Sequence, residues 1–521
     1  RSAGGRRLPP RGPGMQPPGA ERRCSRARPL LRLAAAACLA WSLRSGLAPG
    51  RGETVALPAP PEEPSGVVVF SRAGCPFCVK AKALLQEYGV RFDVVDLNAE
   101  PQRHAEAAQL SGAATVPQIF VGQRSLGGFS DIKSLDDAGK LTEALALAEG
   151  DGPVIRPTPG ELMDGAALVP QEARDALAPV AESLQSLDYP AGSRPRLSAF
   201  LRYAVTGRPS QGQRGNVPLN LPAAPGEDPP APALPGAKAS DLAALLGQAM
   251  LLLLNEFFSP RSGKVDYARM KGSAEWGLFL AIASELGHPR LREDVLSMDK
   301  GEQKAFLINL YNAMTFHGVV RYGRRDGLWN LYCFYIAPAV TYSLAGTPVS
   351  LDDVENGMLR AQPGYFQEPD QELLRELQMP EADPRIHMAL NCGANGCPAV
   401  AVYTAGLLEQ VLDEATVAFV ADDENVRVAL QADDQAEVAL TELFKMYLAD
   451  FAGAGAKPGN RGSQLALLRW VLQYARGQKH DDLATVLASD SPRVRLEWLP
   501  YDWRTNGPEL PLDGRVYSPV W

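Results

Sequence analysis

The stretch GVVVFSRAGCPFCVKAKALLQEYGVRFDVVDL, residues 66–97, constrains the fold more than any other part of the chain. It opens with a β-branched run and passes through two cysteines three positions apart. Apolar residues at helical spacing follow in VKAKALLQEY, then a second β-branched run, FDVVDL. A strand, a helix and a strand within about thirty residues form a βαβ unit, whose two strands pair in parallel. The pattern continues with a polar helix near 101–111, a strand QIFVG, a turn GQRS, a short strand ending at Gly127 and Gly128, and a helix from Ser130. Such alternation over some eighty residues predicts an α/β domain with a small mixed sheet flanked by helices.

The cysteine pair sits where the first strand gives way to the helix. Cys75 falls at or just before the first helical turn, and Pro76 occupies a position whose missing N–H costs nothing. Helix N-terminal N–H groups and a nearby cation favour a thiolate, and Arg72 supplies the cation. Cys75 is therefore expected to be an exposed nucleophile. Cys78, one turn deeper on the same face, is expected to resolve a mixed disulfide formed at Cys75. Two other readings remain at this point: half of a zinc site, for which only His104 is nearby in sequence, and inert core thiols.

The formal net charge of the 521 residues is −8, but residues 1–52 hold eleven Arg, no Lys and only Glu21. The remainder is strongly acidic, which argues against nucleic acid as a partner. Seven cysteines, at 24, 38, 75, 78, 333, 392 and 397, are too few for a disulfide scaffold. RRCSRARPLLR followed by LAAAACLAWSL resembles a targeting segment, and its eleven-residue apolar run is too short to span a membrane. The expectation is organellar import, to plastid or mitochondrion, with secretory entry as the alternative, Met15 as a candidate start and no integral membrane span.

FSRAGCPFC, ATVPQIFVG and GGFSD together resemble the glutaredoxins, over roughly residues 66–148. The resemblance implies a thioredoxin-like fold, a cis Val116–Pro117 peptide beside Cys75, and glutathione as reductant. It also implies reduction of disulfide-bearing or glutathionylated protein substrates, at a potential of about −200 to −230 mV. Carried over by motif, Arg72, Val116, Pro117, Gly128, Ser130 and Asp131 would contact glutathione, with the helix start at 130 suited to a carboxylate and Asp131 to an ammonium. Phe77 stands where dithiol members often carry tyrosine. The second cysteine separates the chain from the single-thiol CGFS branch that transfers iron–sulfur clusters, so no resident metal is expected. The rival reading is a glutathione or cluster sensor that works as an adaptor with little turnover.

Beyond this domain, residues 149–206 read as a helical connector and 207–238 as a Pro/Gly-rich linker. Residues 239–505 read as a mainly α (α+β) domain, followed by a tail over 506–521, while residues 1–65 read as a targeting segment and disordered linker. VDYARMKG, KAFLINLYNAMTFHGVV, SLDDVENGMLR, DPRIHMALNCGANGCPAV and LEWLPYDW resemble the domain of unknown function 547, which implies no activity. Read as residues, Asn309 and Asn312 are amides in an apolar helix that must find partners if buried. His387, Cys392 and Cys397 recur every five positions. They are open to a Cys–His hydrolase or acyl transferase with His387 or His317 as base, to a disulfide serving the attached CPFC pair, to zinc, and to plain packing.

Overall fold

The computed structural model describes most residues between 66 and 517, the longest omissions being 146–168, 186–195, 207–217 and 222–230. The expected targeting segment lies outside the described residues.

The first domain is built on β1 (Val67–Ser71), buried along its whole length because both of its faces are covered. Val67 and Val69 join Leu84, Leu85, Ile119 and Ile132 on one side, while Val68 and Phe70 join Val95, Leu97 and Phe120 on the other. Alternate residues of one strand therefore feed two cores, which is why the run is apolar throughout rather than alternating. Helix α1 (Pro76–Glu87) returns the chain to β2 (Phe92–Asp96), parallel to β1. Helix α2 (Arg103–Ser111) leads to β3 (Gln118–Val121), antiparallel to β1, and β4 (Arg124–Gly127) closes the sheet in the order β2-β1-β3-β4. Helices α3 (Phe129–Asp137) and α4 (Leu141–Leu145) follow. This is the thioredoxin-like arrangement.

The rest of the chain is helix-rich around two cores. In the larger, α5 (Gln171–Gln185), α7 (Ala239–Phe257), α8 (Ala274–Glu285) and α9 (Lys300–Tyr322) pack together, with α6 (Leu197–Thr206) at its edge through Phe200. The smaller core combines α10 (Leu408–Ala421), α11 (Arg461–Tyr474), α12 (Gly477–Leu487) and a sheet of β5 (Val426–Leu430), β6 (Gln435–Thr441) and β7 (Arg493–Leu499), ordered β7-β6-β5. Among the described residues no helix is long and apolar enough to cross a membrane.

Two expectations about segment boundaries change. The connector helix α5 buries Leu177 and Leu184 in the larger core, so it belongs to the second domain. The described parts of the Pro/Gly-rich segment are anchored rather than solvated. Asn220 donates to Ala283 O and Ser343 O, at 3.0 and 2.9 Å. The Glu285 carboxylate accepts from Ala233 N and Leu234 N, at 2.8 and 3.2 Å. Proline and glycine deny a chain regular structure, but side-chain amides and carboxylates can still satisfy its backbone.

Both domains lie in a single compact unit, Glu63–Trp521. Helix α1 meets α7, the Arg72 guanidinium pairs with Glu414 of α10, and Lys80 Nζ lies 5.1 Å from the Phe258 ring centroid.

Candidate active site

Cys75 is the N-cap of α1 with Pro76 directly behind it, and its sulfur accepts the Cys78 N–H at 3.2 Å. Burial pushes the Cys75 thiol up, yet the hydrogen bonds from Cys78 and the charges of Arg72 and Lys82 outweigh it, leaving the thiol below its ordinary value. Burial and the neighbouring Cys75 sulfur hold Cys78 well above the usual thiol range. The two thiols thus diverge as attacking and resolving groups require. The Val116–Pro117 peptide is cis, and the Cys75 thiol lies 3.7 Å from Val116 O.

One expectation needs correcting. Cys75 is only 8% exposed, so it is not the open surface thiol expected. Its sulfur opens instead into a cleft of about 540 Å³ shared by the two domains, within the range that small-molecule sites occupy. Arg72, Val116, Pro117, Gly128, Ser130 and Asp131 all line this cleft, opposite Cys397, Glu414 and Phe419. Arg72 Nη1 is buried without a hydrogen-bond partner while Nη2 is held by Glu414. The Asp131 carboxylate accepts from Gly128 N at 2.7 Å, capping α3. Gly127 has φ +83°, and a β-carbon there would collide with the Asp131 carboxylate, so glycine is required for that turn.

The glutaredoxin family model matches residues 67–126. A glutaredoxin of Pseudomonas aeruginosa is 42% identical over 80 residues, covering 15% of this chain and 95% of the relative. The chain belongs to the glutaredoxin family. Glutaredoxin-C2 of Arabidopsis thaliana is 42% identical over 89 residues, covering 16% of this chain and 80% of the relative. A buckwheat glutaredoxin–glutathione complex matches with 31% identity over 15% of this chain and 76% of its own, at a TM-score of 0.15. The glutaredoxin domain is thus a glutathione-dependent thiol oxidoreductase domain. A second family model, described as "Protein of unknown function, DUF547", matches residues 295–420.

In the DUF547 region the structure brings Cys392 and Cys397 together, with sulfurs 2.7 Å apart. Tyr501 Oη lies 3.5 Å from the first sulfur and 3.2 Å from the second. The hydrogen bond from Cys397 lowers the Cys392 thiol to about 6 against the effect of burial, with help from Arg324 and Tyr501. Burial holds Cys397 well above the usual range. Cys397 lines the cleft it shares with Cys75, whereas Cys392 lines a second cavity of about 560 Å³ with Tyr311, Tyr335, His387, Tyr447 and Tyr501.

His387 faces that second cavity, but its Nε2 lies 2.8 Å from Asp450 Oδ2 and its ring stacks on Tyr447 at 3.8 Å. Burial keeps the imidazole below its ordinary value against the pull of Asp450, and its ring N–H donates to that carboxylate. The Cys392 sulfur instead meets Cys397 and Tyr501. His317 is elsewhere: 1% exposed, beside Trp276 and Phe279, with Nδ1 2.9 Å from Tyr342 Oη. It lines neither the cleft of Cys397 nor the cavity of Cys392. Asn312 donates to Ala389 O at 3.0 Å and accepts from Asn391 N at 2.8 Å, clamping the backbone just before Cys392. Asn309 does the same for Tyr403.

Four contributors escaped the sequence reading: Glu414, Arg324, Asp450 and Tyr501. Only Tyr501 carried a local signal, as the tyrosine of the aromatic YDW segment.

Proposed function

We propose that the glutaredoxin domain works as a dithiol reductant of glutathione mixed disulfides and of disulfide-bearing substrates. The Cys75 thiolate attacks the substrate sulfur, breaking its S–S bond and forming a mixed disulfide at Cys75. Cys78 then displaces the bound thiol to give the Cys75–Cys78 disulfide. Two glutathiones restore the dithiol and leave as glutathione disulfide. The observation that carries this reading is the Cys75 sulfur itself. It is capped by Cys78 N–H at a helix N-terminus and opens into a cleft walled by Val116, Gly128, Ser130 and Asp131. In that cleft the unpartnered Arg72 Nη1 is suited to a glutathione carboxylate, and Asp131 to its ammonium.

The full chain, supplied with glutathione, glutathione reductase and NADPH, should reduce the glutathione mixed disulfide of a small thiol. Cys75→Ser should abolish turnover. Cys78→Ser should retain it on that substrate, because a second glutathione can resolve Cys75, while losing reduction of dithiol-derived disulfides. Undiminished turnover in Cys75→Ser would end the proposal.

A further inference from the structure

We infer that the Cys392–Cys397 pair is a resident redox couple whose disulfide is the internal substrate of Cys75 and Cys78, delivered through the cleft that Cys75 and Cys397 share. The inference rests on the dithiol reading above.

Three observations carry it. The two free thiols lie 2.7 Å apart in contact, so closing a disulfide asks only for a small approach of the sulfurs to about 2.0 Å. The pair also bridges two spaces: Cys397 belongs to the interdomain cleft with Cys75, and Cys392 to the tyrosine-lined cavity of the DUF547 region. Finally, the domains are held with these faces together by Arg72 on Glu414 and by Lys80 over Phe258. Tethering on one chain raises the local concentration of the CPFC thiols at Cys397 without any added contact.

The chemistry balances with a disulfide as oxidant, for which glutathione disulfide suffices. The Cys392 thiolate attacks it, releasing one glutathione thiolate. Cys397 then attacks Cys392, releasing the second and closing the Cys392–Cys397 bond. For reduction, the Cys75 thiolate attacks Cys397 Sγ, forming Cys75–Cys397 and expelling Cys392 as a thiolate. Cys392 is the better leaving group of the pair, since Tyr501, Arg324 and the Cys397 thiol stabilise its charge. Cys78 next attacks Cys75, and the freed Cys397 takes up the proton that Cys78 gives up. Two electrons have moved from the CPFC pair to the Cys392–Cys397 pair, and glutathione replaces them. The consequence is a supply of reduced Cys392 to the second cavity.

Two measurements on the full chain test this. In Cys78→Ser, oxidised with glutathione disulfide, quenched with N-ethylmaleimide and digested, mass spectrometry should find a Cys75–Cys397 cross-link that Cys397→Ser lacks. In the otherwise unaltered chain, glutathione with glutathione reductase should reduce the Cys392–Cys397 disulfide at least tenfold faster than in Cys75→Ser, with a rate constant unchanged on tenfold dilution. Equal rates with and without Cys75, in a preparation that turns over a small glutathione mixed disulfide, would overturn the relay and leave the dithiol reading intact. Absence of that turnover would remove the dithiol reading, and the relay with it.

Discussion

Tyr501→Phe isolates one hydroxyl at the Cys392–Cys397 pair. The ring would stay packed against Gly396 and Trp503, so the substitution removes only the group facing the two sulfurs at 3.5 and 3.2 Å. A hydrogen bond to a charged group contributes about 1.5–3 kcal/mol. One hydrogen shared between two sulfurs at these separations belongs at the low end, and about 1.4 kcal/mol corresponds to one pKa unit. The Cys392 thiol, lowered to about 6 by Cys397, Arg324 and Tyr501 against burial, should therefore titrate about one unit higher in the variant. At pH 6 the thiolate fraction would fall from about half to about a tenth, slowing alkylation roughly fivefold. Iodoacetamide labelling across pH 5–9, read by mass spectrometry at the peptide containing Cys392, measures this directly. A native midpoint near that of a free thiol, or a midpoint unmoved by the substitution, would refute the assignment of Cys392 as a stabilised thiolate.

Burial, with a smaller contribution from Arg321, lowers the His317 imidazole to about 3. Protonation therefore favours the unfolded chain, and stability should fall as pH drops below the unfolded value of about 6.5, by about 3 kcal/mol at pH 4.5. Urea titrations should show a shallower loss in His317→Gln, and an identical slope would contradict the buried neutral ring. Asn312→Ala leaves Ala389 O and Asn391 N without their clamp and should cost about 3 kcal/mol in a urea titration, whereas a loss below about 1 would show that water replaces the amide. Arg72→Met removes a charge that favours the Cys75 thiolate and should move its alkylation midpoint upward; no movement would assign that role to the Cys78 hydrogen bonds and Lys82.

The first domain was legible because its signals are local. The run VVVF serves two cores from one strand, so its unbroken apolarity reports a central position, and CPFC marks the junction of strand and helix. RVRLEWL, which became β7, alternates polar and apolar as far as Trp498 and carried a strand signal that the expected organisation left out. What could not be read was long-range pairing. Glu414 lies 342 positions from Arg72, and Asp450 lies 63 from His387, so no periodicity links them. The Pro/Gly-rich segment was read by composition as a free linker, yet Asn220 and Glu285 tie it down with hydrogen bonds that composition does not encode.

The pairing of Arg72 with Glu414 also ties the two domains together beside the attacking thiol. Anything that reaches Cys75 must fit, or open, a space of about 540 Å³ walled by both domains. Large clients would have to prise the halves apart first. Because the Arg72 side chain is only 6% exposed, added salt screens that pair weakly, and access to Cys75 should change little with ionic strength.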